Sequence, residues 1–170
     1  MTAIKLARSI AILMSIFIAA CRNESPSDPV CRIDSEQLDN ISADAKCVVR
    51  VDDFLLTIKK GRSNKLELPG GENQNEESAQ CTAHRETWEL TGFNVEVGSY
   101  LGSDKDDTRY YSCMLDAGFD GQIKAFPVPE WAIDDTSEIQ LVDPFSTTDK
   151  SWNVPEKLVF IRDMFNKTNK

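Results

Sequence analysis

The sequence predicts an α/β domain, with strands and two helices packed as a sandwich. Two observations carry this. Short runs rich in β-branched and aromatic residues recur between turn-forming clusters, as in Cys47-Val48-Val49-Arg50-Val51 and Phe54-Leu55-Leu56-Thr57-Ile58. Two other segments, 79–91 and one beginning near Pro155, carry helix start and stop signals or an apolar stripe at helical spacing.

Residues 1–21 read as an export address rather than as part of this fold. Lys5 and Arg8 give a positive start, and residues 9–20 are an apolar run short for a bilayer span. The run ends Ile18-Ala19-Ala20-Cys21, which resembles the lipobox of bacterial lipoproteins. That resemblance implies cleavage before Cys21, a diacylglyceryl group on its thiol, and a membrane anchor facing the periplasm. Arg22, rather than an acid, follows, which by the sorting pattern of such lipoproteins points to the outer membrane over the inner. An ordinary signal peptide or an N-terminal anchor helix is the alternative. Residues 22–30, with Pro26 and Pro29, form a flexible tether, and residues 31–170 are one domain's worth of chain.

The formal net charge is −9, which makes duplex nucleic acid or an anionic membrane surface a poor partner. Cys21 aside, Cys31, Cys47, Cys81 and Cys113 form an even set that suits an oxidising compartment. Two disulfides can pair in three ways, and the sequence does not choose among them. A zinc site is the rival, but the spacings are wide and lack a C-x2-C knuckle.

After the strand at 47–51, Asp52-Asp53 makes a turn into the strand at 54–58. Lys59, Lys60, Arg62 and Lys65 then place four cations in a loop, able to attract a polyphosphate but read first as a solvated turn. Residues 66–68 are a short strand into Pro69-Gly70-Gly71. Residues 93–97 alternate apolar and polar, 98–101 continue them, and 103–109 are a charged turn. Strands follow at 110–115, 123–128 and 138–142, with Pro127 and Pro129 opening the loop through Trp131. Asn153 stands to cap the last helix, with Pro155 in its first turn and Leu158, Ile161, Met164 and Phe165 as its stripe.

The most informative stretch is 68–93. Ser78 is an N-cap and Gly92 a helix stop, which predicts a helix over 79–91. Glu86 and Glu89 are three apart and share a face, with Arg85 beside them. Two acids so close repel unless a cation sits between them, and hard divalent ions such as Mg²⁺ take such oxygens.

From Gly71 the chain reads Gly, five residues, Glu77, seven residues, Arg85-Glu86-Thr87-Trp88-Glu89-Leu90-Thr91-Gly92-Phe93. Over these 23 positions it resembles the Nudix box of the Nudix hydrolases, G-x5-E-x7-R-E-U-x-E-E-x-G-U with U aliphatic. The resemblance implies a Nudix-type α/β/α sandwich with a mixed sheet. It also implies hydrolysis of a pyrophosphate bond in a nucleoside diphosphate-linked or related small molecule, with Mg²⁺ or Mn²⁺ as cofactor. By the same resemblance Glu86 and Glu89 are metal ligands, Gly70 offers its backbone carbonyl, and Glu77 pairs with Arg85 to hold the loop to the helix. A further acid outside the box, acting as ligand or general base, falls on Glu138, with Asp134 and Asp135 just before it.

Two positions depart from the pattern. Thr87 replaces an aliphatic residue, and Leu90 replaces the second glutamate of the pair, usually a metal ligand. Placed four residues after Glu86, Leu90 is expected on the metal's side, leaving Glu89 to compensate. A catalytically impaired Nudix-fold binding or structural envelope protein is therefore the alternative function. His84 lacks a serine or cysteine context for nucleophilic chemistry and reads as a surface residue or one behind the ligands. Trp88 and Trp131 could stack on a base but read as packing, Trp88 against the sheet or its edge.

Overall fold

The computed structural model describes residues 26–74, 76–116 and 118–168. The export address, Cys21 and the first part of the tether lie outside the described residues. No helix among the described residues is long and apolar enough to cross a membrane.

Eight strands make a mixed sheet: β1 (Ala45–Val51), β2 (Phe54–Lys60), β3 (Leu66–Glu67), β4 (Gly70–Gly71), β5 (Glu96–Ser103), β6 (Arg109–Met114), β7 (Ala125–Phe126) and β8 (Thr136–Val142). Their order is β5-β6-β1-β2-β8-β7, with β3 on β2 and β4 on β1. β1 runs parallel to β6, while its pairings with β2 and β4 are antiparallel. Helix α1 (Ala79–Thr91) covers one face and α2 (Leu158–Lys167) the other, so the architecture is the expected α/β/α sandwich.

β1 is central and buried on both sides, which explains its unbroken Cys-Val-Val run. Cys47, Val49 and Val51 pack with Ala79, Ala83 and Leu90 of α1. Val48 points the other way, into a core built on Trp152, Ile161, Met164 and Phe165. The final helix begins later than predicted. Pro155–Lys157 is a separate 3-10 turn, and α2 starts at Leu158 with no side-chain cap. Asn153 does not cap it, because the intervening turn puts Lys157 at the N-cap position of α2, while the Asn153 backbone N–H donates to Leu66 O at 3.1 Å and ties this segment to β3.

The structure selects one disulfide pairing, Cys47–Cys113 and Cys31–Cys81, and so removes the zinc reading. Cys47–Cys113 bridges the neighbouring strands β1 and β6 inside the core. Cys31–Cys81 fixes the segment before β1 to the first turn of α1. That segment also bridges β5 at Ile33↔Val97, and its Asp39 takes hydrogen bonds from Arg109 and from Tyr111 OH.

Between β5 and β6 a charged turn is locked by Asp104, whose side chain is only 4% exposed. Its carboxylate accepts from Lys157 Nζ at 2.6 Å, Tyr110 OH at 2.8 Å and the backbone N–H groups of Asp106 and Thr108. Burial alone would raise its pKa, but Lys157, Tyr110 and the Asp106 N–H outweigh that and hold it below the usual carboxylate value. The stability this gives is present above the ordinary carboxyl pKa near 4 and is lost as pH falls through the lower folded value. In urea denaturation Asp104→Asn should cost about 3 kcal/mol at pH 7 and flatten the acid side of the stability profile. A variant as acid-sensitive as the parent would contradict this.

Candidate active site

The helix that presents the carboxylates is set by its two ends. Ser78 Oγ accepts from Cys81 N at 3.3 Å, and Gly92, at φ 74°, closes the last turn by donating its N–H to Trp88 O at 2.8 Å. The loop entering it is held by Asn73, a residue that sequence reasoning passed over. Asn73 Nδ2 donates to Glu77 O at 2.9 Å and to Thr82 Oγ1 at 2.7 Å, while its Oδ1 accepts from Ser42 Oγ at 2.8 Å. Its backbone N–H reaches Asp44 at 2.9 Å. An asparagine in a polar loop before an N-cap was the only available signal.

Arg85 is the centre of the cluster. Nη2 bonds Glu77 Oε1 at 2.7 Å, and Nη1 bonds Glu86 Oε1 at 2.8 Å and Glu89 Oε2 at 3.1 Å. Nη2 also donates to Glu72 O at 2.9 Å, so one guanidinium ties loop to helix. Burial would lower its pKa, but Glu77 and Glu86 raise it further and keep it charged. Burial pushes the Glu89 carboxyl up against the opposing pull of Arg85. Three carboxylates around one cation leave a net negative site.

Gly71 explains how Glu86 fits. A Cβ at Gly71 would overlap the Glu86 carboxylate, so a side chain there would push that carboxylate aside. Gly70 pairs with Lys46 of β1, and a Cβ there would overlap Ala45 O and Lys46 Cα. The two glycines are thus a short strand, and not only the bend that the sequence suggested.

Other candidates lie elsewhere. Glu138 forms an ion pair with Lys59 at 2.7 Å. Its neighbour Ile139 and the paired Ile58 belong to the core under α1, so alternation sends Glu138 and Lys59 to the opposite face. It does not join the helix carboxylates, a correction to its expected role. Asp134 and Asp135 are exposed before β8. Lys59 and Lys60 extend β2 and are not loop residues. Leu90, 6% exposed, is part of the core rather than on the carboxylate side, and Thr87 is also fully buried. His84 is not on the surface: it is 1% exposed, and its Nε2 meets Asn94 Oδ1 at 2.9 Å. Burial pushes its pKa down and favours the neutral ring. Trp88 packs on Trp131, with centroids 5.6 Å apart.

On the α2 face lies a small cleft of about 50 Å³, partly open to solvent, bounded by Lys46, Glu67, Leu68, Tyr110, Trp152 and Lys157. Lys46 Nζ has a long bond to Leu68 O at 3.4 Å and lies 3.9 Å from Glu67.

The donor set suits a hard divalent ion. Mg²⁺ is commonly held by one or two carboxylates and keeps several waters, and Glu86 and Glu89 share a single guanidinium nitrogen at the site. No group of three or more His, Cys, Asp or Glu residues arranged for a metal occurs among the described residues. The fit is therefore to a partly hydrated ion and not to an all-protein cage.

A mixed sheet between two helices, with clustered glutamates where a glycine loop enters a helix, defines an acid-lined α/β/α domain. The chain belongs to the Nudix family: the family model for the NUDIX domain matches residues 42–158, more than half of its length. A MutT-like protein from Streptomyces ambofaciens is 42% identical over 65 residues, 38% of this chain and 42% of that relative's length. Among solved structures, a UDP-X diphosphatase superposes with a TM-score of 0.57 at 15% identity, covering 78% of this chain and 66% of that one. An ADP-ribose pyrophosphatase from Streptococcus suis gives 0.57 at 15% identity, covering 74% and 91%. These superpositions establish a shared fold.

Gly71→Ala should displace the Glu86 carboxylate and weaken Mn²⁺ binding by about tenfold or more, roughly 1.4 kcal/mol, read by electron paramagnetic resonance titration. Unchanged affinity would remove Glu86 from the ion's surroundings.

Proposed function

We propose that this domain is a metal-dependent pyrophosphohydrolase of the bacterial cell envelope, acting with Mg²⁺ or Mn²⁺ on a nucleoside diphosphate-linked or related small molecule. The observation that carries the reading is the convergence of Glu77, Glu86 and Glu89 on Arg85 beside Gly70 and Gly71. Family membership supports it.

When bound, the ion would offset the charge of the pyrophosphate and acidify a water. Glu86 and Glu89 would hold the ion, with the Gly70 carbonyl beside them. Glu77 has a different task, since its hydrogen bonds to Arg85 fix the guanidinium that orients the other two acids. The attacking water's proton falls to a helix carboxylate, because Glu138 faces away.

Export and lipidation at Cys21 complete the reading. The sequence of residues 1–21 supports them, and two disulfides suit an oxidising compartment. Labelled palmitate should enter the wild-type protein and not Cys21→Ala; label persisting in the variant would refute the anchor.

A panel of nucleotide sugars, dinucleoside polyphosphates and other pyrophosphates, with and without Mg²⁺ or Mn²⁺, tests the chemistry. Glu86→Gln should lower turnover by ~10²–10⁴. No turnover of any compound by the wild type would favour the binding-protein alternative, for which the loss of a family glutamate at Leu90 speaks. Leu90→Glu should lower the melting temperature without raising activity, because it puts a carboxylate into the core. A faster variant of unchanged stability would show that position 90 faces the ion.

A further inference from the structure

We infer that Cys31–Cys81 is a reversible thiol–disulfide exchange site, through which a dithiol reductant loosens the loop that positions the acidic cluster. The two disulfides are unequally placed. Cys47 and Cys113 are 0% and 2% exposed within the core, whereas Cys31 and Cys81 are only partly buried. Exchange needs a thiolate to reach a sulfur, so a reductant meets Cys31–Cys81 first.

What that bond fastens gives the exchange its effect. The segment from Cys31 to Asp44 exposes Leu38 and Ile41 at 64% and 51%, so beside its bridge to β5, the bonds to Asp39 and the packing of Ala43, the disulfide is one of a few ties that hold it. It nevertheless braces the site. Ile41 O accepts from Ala79 N at 2.7 Å, at the start of α1. The fully buried Gln80 accepts from Asp39 N and donates to Gln37 O, both at 2.8 Å. Ser42 and Asp44 hold Asn73, and Asn73 holds the backbone carbonyl of Glu77, the residue whose carboxylate fixes Arg85. The covalent bond is thus an anchor of a brace that ends on the catalytic loop, and Asn73 is a positioning residue.

The step balances. A thiolate of the dithiol attacks one sulfur and forms a mixed disulfide, while the other cysteine leaves as thiolate and takes up a proton. The second thiol then loses its proton, attacks the reductant's own sulfur in that mixed disulfide and expels the first cysteine, which takes up a proton. The reductant is left as a cyclic disulfide. Two electrons pass to the protein, giving two cysteine thiols. The inference rests on the hydrolytic reading only for its consequence on turnover; thiol state and loop mobility are read without substrate.

The test uses the full chain under mild dithiothreitol, without denaturant, followed by alkylation, peptide mass spectrometry and hydrogen exchange. Label is expected at Cys31 and Cys81 and not at Cys47 or Cys113. Amide exchange across residues 72–77 should rise about tenfold and return on reoxidation. Asn73→Ala, with both disulfides intact, should raise exchange in the same loop. Equal labelling of all four cysteines, no labelling of Cys31 and Cys81, or selective labelling with an unaltered loop would each overturn the inference. Where turnover has been established, it should fall and recover with the thiol state; recovery of the loop without recovery of rate would separate the brace from catalysis.

Discussion

The interaction on which the site depends is the sharing of one guanidinium by three glutamates. Without Arg85, Glu77, Glu86 and Glu89 would face one another in a partly buried space, and their repulsion would splay the loop from the helix. With it, the acids are gathered at a fixed spacing and still carry an excess of negative charge. The cation is internal, planar and several-pronged, so it orders geometry as well as balancing charge. Any ion bound there would have to compete with Arg85 for Glu86 and Glu89.

The glycine strand makes that arrangement possible by being thin. Gly71 lets the Glu86 carboxylate press against the backbone on one side, and Gly70 lets β1 approach on the other. Leu90 shows the same economy of space. Where the family carries a glutamate, this chain has a leucine that the core absorbs, so the departure exchanges polar capacity for packing under α1.

Features governed by neighbours in sequence were the legible ones. Ser78 and Gly92 fixed both ends of α1, and the Arg85–Glu86–Glu89 spacing put these residues on one surface. Features governed by distant partners were not. The disulfide pairing needed the parallel contact of β1 with β6, which no local pattern announces. Glu138 was misplaced because a strand's parity, set by Ile58 and Ile139 across the sheet, decides which face a side chain takes. Asn153 has good capping chemistry, yet the turn at Pro155–Lys157 separates it from α2. His84 and Thr87 are polar residues in a helix whose buried side is wider than its hydrophobic pattern suggested.

The covalent rung between Cys47 and Cys113 has a bearing on how the molecule survives damage. It joins two residues 66 positions apart, and the chain between them includes the exposed turn around Glu72 and Gln74. A protease that severed that turn would leave both pieces chemically joined at the centre of the sheet. A nicked molecule would thus remain a single particle, able to keep its strands in register where an unlinked one would come apart.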